Sequence, residues 1–316
     1  MARERVAVVG IGCMGLPMAQ RLAERGHAVV VNDRDASRPP LATGCAVASD
    51  ACSAADAADL VIVAVVDGAQ TRDVLFGDGG VVHSLPRRDA GRPLTVLLCP
   101  TLGVADVEDA AARLAAQGVT LIDAPMSGGP ARARAGTMSL MVAGDEAVVN
   151  RWAPVLGDLA DPVFRVGPRA GDGARTKLVN NLLAAAHLAA AAEALALARQ
   201  MGLDDGRTLE VLERSSGQSW IASDRLRRWL AGDTAPRARM ALLAKDSALA
   251  LAEARRAGLA LPLGAAAAGH FQAALAAGLA DADDGALFEW ARQCLSSPAS
   301  ADRSEPAPPA PSESGP

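Results

Sequence analysis

In the first half of the chain, short runs of apolar residues alternate with segments in which apolar residues recur at helical spacing. The runs are four to seven residues long, are rich in Val, Ile and Leu, and are followed by Gly, Asn, Asp or Pro. Because such runs are typical of strands buried on both faces, and helical segments separate most of them, we predict a parallel sheet covered by helices. The predicted strands are residues 6–9, 28–31, 60–66, 94–99, 119–122 and 139–143, with an edge strand at 163–166.

The pattern changes in the second half of the chain. Residues 174–200 contain no Pro or Gly and are rich in Ala, Leu, Glu and Arg, which predicts one long helix. We predict that Gly171 and Gly173 give the backbone mobility just before it. Helical periodicity then continues to about residue 295, with breaks at Gly and Pro residues near 202, 217, 232–236, 258–262 and 278–284.

The first predicted strand leads directly into a glycine-rich turn. Gly10, Gly12 and Gly15 have the spacing Gly-x-Gly-x-x-Gly, a helical pattern follows, and the second strand ends just before Asp33. This is the dinucleotide-binding fingerprint in its required context of strand, turn, helix and strand. The first glycine permits the tight turn, the second lets the backbone approach a pyrophosphate, and the third allows close packing of helix on strand. The pyrophosphate is expected at the helix N-terminus, where free N–H groups and the helix dipole favour an anion.

We therefore predict that the chain binds a nicotinamide dinucleotide. Asp33 is expected to accept hydrogen bonds from the ribose hydroxyls and to repel a 2′-phosphate, which favours NAD over NADP. Arg34 has the opposite effect, although the neighbouring Asp35 partly offsets its charge, so NADP remains possible. Val65 and Val66, at the end of the third strand, are expected to lie over the cofactor crevice. The whole glycine loop is expected to contact the cofactor: Gly10, Ile11, Gly12, Cys13, Met14 and Gly15.

Together these elements predict an α/β Rossmann-type N-terminal domain and an all-α C-terminal domain, joined by the long interdomain helix. We place the dinucleotide-binding domain at residues 1–172 and the helical substrate and oligomerisation domain at residues 173–296. Residues 297–316 are rich in Pro, Ser, Ala and acidic residues without periodicity, and we predict a disordered tail there.

Two polar side chains stand out near the start of the long helix. Lys177 and Asn181 are four residues apart and therefore leave the same face of the helix. A solvated lysine beside a polar patch is the ordinary alternative. Ligands of open parallel sheets bind beyond the carboxyl ends of the strands, where Ser127, Gly128 and Gly129 offer a hydroxyl and unhindered N–H groups suited to a carboxylate. An ordinary glycine turn is the alternative for that segment.

Composition narrows the class of partner. A net charge of −5 argues against nucleic acid and against an anionic membrane surface. Five cysteines without CxxC spacing indicate reduced thiols in a cytoplasmic protein, and no metal-ligand cluster is recognisable. The N-terminus leads into a strand without a signal-peptide pattern. The most apolar stretch, residues 182–198, carries His187 and Glu193, which favours a buried helix over a membrane span.

With these segments in place, the chain resembles the β-hydroxyacid dehydrogenase family over roughly residues 5–295. Four blocks carry the resemblance in the family's order: GIGCMGLPMAQRLAERGH, DAPMSGGPARARAGTMSLMVAGD, GDGARTKLVNN and the Lys-Asp pair at 245–246. Four ordered blocks are much more specific than any one of them. Departures at Asp67, at Cys99-Pro100-Thr101 and at Ala238 concern the substrate pocket more than the chemistry.

The resemblance implies roles for individual residues. Lys177 matches the family's catalytic lysine, and Asn181 matches the amide that helps to hold the substrate, with Asn180 beside it. Thr101 matches a cofactor contact, and Lys245 a lysine near the nicotinamide, although by itself Lys245 reads equally well as a surface charge. Ser127, Gly128 and Gly129 match the loop that binds the substrate carboxylate. The resemblance also implies a homodimer or homotetramer.

The expected reaction is NAD-dependent oxidation of a small hydroxy acid, in which Lys177 takes the hydroxyl proton. Residues around His187 resemble dehydrogenases of four-carbon sugar acids such as L-threonate, so His187 is a candidate substrate contact or else an ordinary helix histidine. Oxidation of 3-hydroxyisobutyrate or reduction of tartronate semialdehyde is the alternative chemistry. A dinucleotide-binding sensor without activity and an imine-reducing enzyme are the remaining alternatives.

Overall fold

The computed structural model of the chain describes residues 3–88 and 91–296. Its strands are β1 (Arg5–Val9), β2 (Ala28–Asn32), β3 (Ala46–Val47), β4 (Leu60–Val63), β5 (Thr95–Leu98), β6 (Thr120–Asp123), β7 (Met126–Ser127), β8 (Met138–Ala143) and β9 (Ala160–Gly167). Its α-helices are α1 (Gly15–Glu24), α2 (Ala51–Asp56), α3 (Gly68–Phe76), α4 (Val104–Ala115), α5 (Gly129–Ala135), α6 (Glu146–Leu159), α7 (Asp172–Gln200), α8 (Asp205–Glu213), α9 (Trp220–Leu230), α10 (Met240–Arg256), α11 (Pro262–Ala276) and α12 (Leu287–Ser296). Short 3₁₀ helices occupy Pro39–Leu41, Val81–Arg87 and Asp284–Ala286.

The described residues form two compact units. The first runs to Ala186 and includes Ala235–Asp284, so it holds the whole sheet, the first half of α7, and α10 and α11. The second contains His187–Thr234 and the residues from Gly285 onward, which supply α8, α9 and α12. The predicted domain boundary after residue 172 stays a prediction, and the predicted tail at 297–316 lies outside the described residues.

All the strands belong to one sheet with the order β3-β2-β1-β4-β5-β6-β8-β7, and β9 pairs with β8. Strands β1 to β6 are parallel, β8 runs antiparallel to β6, and β9 is parallel to β8. The order 3-2-1-4-5-6 of the first six strands is that of dinucleotide-binding α/β sheets, whose crevice opens where the order reverses, between β1 and β4. The predicted Rossmann-type fold and the predicted helical second half are confirmed.

Some predicted strand boundaries differ from those of the structure. The predicted strand 60–66 ends early, at Val63, because the side chain of Asp67 accepts a hydrogen bond from the Gln70 N–H and starts α3. The chain must turn before that cap, which leaves Val66 half exposed. Strands β3 and β7 were not predicted, since two residues are too few to show a period.

The sheet has an apolar core on each face. Val6 and Val8 of β1 pack on one side, against α1 and α6, and Ala7 and Val9 pack on the other. The second core also contains Ala174, Leu178 and Ala250, and thus the first turns of α7 and part of α10. The start of α7 is therefore part of the core that packs on the sheet.

By length and composition alone α7 also qualifies as a membrane span, and 44% of its most apolar window is buried within the protein.

Candidate active site

The carboxyl ends of five parallel strands lie side by side. The register pairs Val9 with Asn32 on one side and with Val63 on the other, then Val63 with Leu98, and Leu98 with Asp123. Neighbouring strands are about 4.8 Å apart. The segments that follow these strands, which carry most of the predicted cofactor and substrate residues, therefore begin at one edge of the sheet, as expected.

Each glycine of the fingerprint has a distinct environment. Gly10 has φ +96°, and a β-carbon there would lie 2.7 Å from the carbonyl oxygen of Ala64 on the neighbouring strand. A β-carbon on Gly15 would overlap the carbonyl oxygen of Gly10. At Gly12, by contrast, the nearest atom is Nη1 of Arg38 at 3.8 Å. The protein's own backbone requires the first and third glycines, whereas the second leaves the open surface that a pyrophosphate needs. The loop thus fits a dinucleotide.

Asp33 connects the end of β2 to the glycine loop. Its Oδ2 accepts a hydrogen bond from the Ile11 N–H at 2.6 Å, and its Oδ1 accepts one from the Asp35 N–H at 2.9 Å. Arg38, which sequence analysis did not identify, places Nη1 3.7 Å from Asp33 Oδ2 and Nε 3.1 Å from Asp35 Oδ2. Asp35 therefore pairs with Arg38, and within the described chain no ion pair joins it to Arg34. A cation beside the glycine loop was missed because its pairing depends on how the chain turns after β2.

The other predicted cofactor residues in this part of the chain lie in the glycine loop itself or directly after β4. Cys13 is exposed, Met14 precedes the first turn of α1, Val65 is half-buried and Val66 is 50% exposed. At the next strand end Cys99 is buried, and burial raises the pKa of its thiol. This cysteine is a packing residue, not a nucleophile.

The two other predicted cofactor contacts, Thr101 and Lys245, are joined directly. Lys245 on α10 donates from Nζ to the carbonyl oxygen of Thr101 at 2.7 Å, just beyond β5. The same Nζ lies 2.7 Å from Oδ1 of Asp246, and the Lys245 side chain is 27% exposed. The alternative of a plain surface charge does not describe this lysine, since it ties α10 to the edge of the sheet.

Asp246 extends this network to α7. It is 5% exposed, and its Oδ2 accepts a hydrogen bond from Nδ2 of Asn181 at 2.6 Å. Oδ1 of Asn181 in turn accepts from Nδ2 of Asn180 at 2.9 Å. Because Oδ2 of Asp246 accepts this hydrogen bond, the NH₂ end of the Asn181 amide faces α10. Sequence analysis quoted the Lys245-Asp246 pair but gave Asp246 no role, as the contact with Asn181 spans 65 residues.

Lys177 is buried although it lies in the second turn of α7. Its relative exposure is 6%, whereas its neighbours Arg175 and Val179 on the same helix are exposed. Adjacent Leu178 belongs to the core of the sheet. The alternative of a solvated lysine is therefore excluded, and its amine and Asn181 share one face of the helix.

Asp123, at the end of β6, holds the start of α7. Its Oδ2 accepts hydrogen bonds from the N–H groups of Gly171 at 2.9 Å and Ala174 at 3.0 Å. Burial raises the pKa of Asp123 to about 6, although these N–H donors act in the opposite direction. A β-carbon on Gly173 would lie 2.8 Å from Cγ of Asp123 and 2.8 Å from the carbonyl oxygen of Met141. The expected role of Gly173 in backbone mobility was wrong: this glycine allows close packing.

Ser127, Gly128 and Gly129 form a tight turn after β7. Ser127 ends β7, which pairs antiparallel with β8, and Gly128 and Gly129 have φ values of +125° and +75°. Positive φ values at two successive positions explain why both residues are glycine. A β-carbon on Gly128 would lie 3.0 Å from Cδ of Arg132 in α5. The turn runs into the start of α5 at Gly129, and neither glycine carries a β-carbon that would shield its N–H group from a carboxylate.

His187 lies in the second half of α7. It is exposed and belongs to the second compact unit. Six residues separate it from Asn181, a rotation of about 240° around the helix axis, so the two side chains leave different faces. The role of His187 as a substrate contact stays a prediction, on a different face of α7 from Asn181. Within residues 3–88 and 91–296, no group of three or more His, Cys, Asp or Glu residues is placed to hold a metal ion.

Comparisons with known proteins agree with the fold. A family model described as the NAD binding domain of 6-phosphogluconate dehydrogenase matches residues 5–167, and one described as NAD-binding of NADP-dependent 3-hydroxyisobutyrate dehydrogenase matches residues 171–291. L-Threonate dehydrogenase from Cupriavidus necator is 36% identical over 287 residues, which cover 90% of this chain and 95% of that protein. 3-Hydroxyisobutyrate dehydrogenase from Pseudomonas aeruginosa is 35% identical over 270 residues, covering 82% and 88%.

A solved structure agrees as well. The crystal structure of 3-hydroxyisobutyrate dehydrogenase from Salmonella typhimurium matches with a TM-score of 0.80 at 33% identity, over 90% of this chain and 99% of that one. The match of two family models in sequence order, over nearly all of the described chain, excludes a likeness confined to the nucleotide fold. The chain therefore belongs to the β-hydroxyacid dehydrogenase family of NAD(P)-dependent oxidoreductases.

Proposed function

We propose that this enzyme oxidises L-threonate or a related four-carbon sugar acid, with Lys177 as the general acid and base. The observation that carries the proposal is the burial of Lys177 on the face of α7 shared with Asn181, one turn beyond the helix start held by Asp123. An amine kept out of bulk water at that edge of the sheet is suited to exchange a proton with a bound substrate. The name of the Cupriavidus necator relative supports the substrate class.

The substrate carboxylate binds at the turn formed by Ser127, Gly128 and Gly129, through the serine hydroxyl and the glycine N–H groups. Its carbinol hydroxyl then lies between Lys177 and Asn181. A nicotinamide dinucleotide held by the glycine loop and Asp33 would supply the acceptor for the hydride that leaves the carbinol carbon. Lys177 accepts the hydroxyl proton as the neutral amine, and the carbon–oxygen bond becomes a carbonyl. In the reverse direction the Lys177 ammonium returns this proton to the developing alkoxide, whose charge Asn181 stabilises by a hydrogen bond.

Further contacts hold the substrate side and the cofactor side of the site in place. Asp246 orients the Asn181 amide, and Lys245 links α10 to Thr101 beside the expected position of the nicotinamide. The glycine loop and Asp33 bind the pyrophosphate and the adenosine ribose. Since Asp33 and Asp35 already hold Arg38, the charge available to a 2′-phosphate is reduced, and we favour NAD as the cofactor.

We also propose that the enzyme is a homodimer or homotetramer in the cytoplasm. In the first compact unit, Val179 and Leu183 on α7 are 71% and 56% exposed, and Leu263 on α11 is 83% exposed. Large apolar side chains on adjacent turns of one helix favour a covered surface. Sedimentation analysis of the full chain is expected to give a dimer or a tetramer, and a stable monomer at micromolar concentration would contradict this part.

The test of the proposed reaction is the rate of NAD⁺ reduction on a panel of hydroxy acids. We expect the highest kcat/KM with L-threonate among L-threonate, D-erythronate, glycerate, 3-hydroxyisobutyrate and 3-hydroxypropionate. A preference for 3-hydroxyisobutyrate would instead support the second candidate, which the name of the Salmonella typhimurium structure favours. Tight NADH binding without turnover of any hydroxy acid would overturn the enzymatic proposal in favour of a dinucleotide sensor.

A further inference from the structure

A buried carboxylate ties the central helix to the sheet. Asp123 is 1% exposed, and its Oδ2 accepts hydrogen bonds from two N–H groups at the start of α7, those of Gly171 at 2.9 Å and Ala174 at 3.0 Å. The first N–H groups of a helix have no partner within the helix, and a negative charge is favoured at this end of the helix dipole. One side chain thus satisfies two such donors and complements the dipole.

The fit between this carboxylate and the start of α7 is close. A β-carbon on Gly173 would lie 2.8 Å from Cγ of Asp123 and 2.8 Å from the carbonyl oxygen of Met141 on β8. The helix therefore starts against the end of β6 and the backbone of β8, and any residue larger than glycine at position 173 would force it away from the sheet. Asp123 also lies in register with Leu98, in the row of carboxyl-terminal strand ends. This row is the expected cofactor edge of the sheet.

The position of the helix start determines where Lys177 lies. Three residues separate Ala174 from Lys177, about 4.5 Å along the helix axis, so a shift at the start passes almost undiminished to the amine. A further polar contact of this turn joins Arg175 to Glu108 at 2.6 Å, but both side chains are about half exposed. Exposed ion pairs constrain geometry weakly.

We propose that Asp123 is a positioning residue for catalysis, which holds the first turn of α7 so that the Lys177 amine meets the substrate at the cofactor edge. The inference rests on the proposed function of Lys177. It assigns to Asp123 a role that acts through another residue, without contact with substrate or cofactor. Misplacement of a reacting group by about 1 Å can reduce a rate about 100-fold.

The test compares substitutions at the start of α7, where Asp123 binds the helix N–H groups, with a substitution at the start of α6, where Asp145 does so. Asp123→Asn keeps the shape of the cap but removes its charge, and Gly173→Ala crowds the same contact from the other side. Asp145→Asn is the matched control, because Asp145 accepts hydrogen bonds from the Ala147 and Val148 N–H groups at the start of α6, which carries no site residue. Activity is expressed per NADH-binding site, so that unfolded enzyme is not counted. We expect kcat to fall about 10- to 100-fold in the first two variants, with NADH affinity within twofold, and to stay within twofold in the control.

A double-variant cycle separates positioning from general stability. In a Lys177→Met background, measured by slow single turnovers, adding Asp123→Asn should lower the residual rate by no more than about twofold, because the group being positioned is gone. An equal loss in both backgrounds, or a kcat of Asp123→Asn within twofold of the wild type, would overturn the inference. Failure of both Asp123→Asn and Gly173→Ala to bind NADH would overturn it too, since the contact would then serve folding. If Lys177→Met itself retains turnover, the proposed function fails whatever Asp123 does.

Discussion

The buried carboxylate of Asp123 gives the stability of this protein a pH dependence with a defined sign. Burial raises its pKa from 3.8 to about 6, with a smaller contribution from the charge of Asp172. Since the folded pKa lies above the unfolded one, the native state binds a proton more readily than the unfolded chain does. This group therefore contributes stability that increases as the pH falls through 6 towards 4 and is absent at pH 7 and above.

The magnitude follows from the two pKa values. A difference of about two units corresponds to about 3 kcal/mol when it is fully expressed, and about half of it is reached at pH 5. Asp123→Asn removes the titrating group while keeping its size. The free energy of unfolding of the wild type, relative to that of Asp123→Asn, is therefore expected to rise by about 1.5 kcal/mol between pH 7.5 and pH 5.

Urea unfolding of both proteins at pH 7.5 and pH 5, followed by tryptophan fluorescence, measures this difference. Trp152 is a suitable probe because it is 3% exposed in the core beneath the sheet. Asp109→Asn changes an exposed carboxylate on α4 and is the control, for which the difference from the wild type should change by less than about 0.5 kcal/mol. A wild-type advantage that stays constant or shrinks at pH 5 would refute the reasoning, because it would mean that Asp123 does not titrate above its unfolded value.

Three further predictions concern the nucleotide site. Gly15→Ala is expected to lower the melting temperature, because its β-carbon would overlap the carbonyl oxygen of Gly10, while Gly12→Ala should melt like the wild type yet bind NADH at least tenfold more weakly, measured by fluorescence titration. Equal melting temperatures for the two variants would contradict the separate roles of these glycines. Asp33→Ala should raise kcat/KM for NADP⁺ relative to NAD⁺ by tenfold or more, since it removes the charge that opposes a 2′-phosphate and releases Arg38. An unchanged ratio would mean that Asp33 does not face the ribose.

Much of the nucleotide half of the site could be predicted from the sequence. The fingerprint, the strands and the acid after β2 are local patterns, and parallel pairing brings the carboxyl ends of β1 to β6 to one edge without further information. Gly10 and Gly15 are fixed by their own backbone surroundings, so the glycine spacing already determines the loop. Even the early end of β4 was within reach, because Asp67 is a recognisable helix cap.

The contacts that join distant segments could not be predicted in this way. Asp246 meets Asn181 across 65 residues, and Asp123 meets Ala174 across 51, so no local period reports either pair. Arg38 reaches Asp33 only because the chain folds back after β2. His187 is a different case, since its six-residue distance from Asn181 already places it on another face of the helix.

In the proposed reaction, the buried amine of Lys177 moves the proton during hydride transfer. The most direct measurement is a single turnover of Lys177→Met, in which enzyme saturated with NAD⁺ is mixed with the best hydroxy acid of the panel and NADH formation is followed. We expect NADH affinity within twofold of the wild type and a rate of hydride transfer at least 100-fold lower, because the methionine fills the same space without a basic group. A rate within tenfold of the wild type would contradict the claim, since the proton would then be taken by another group.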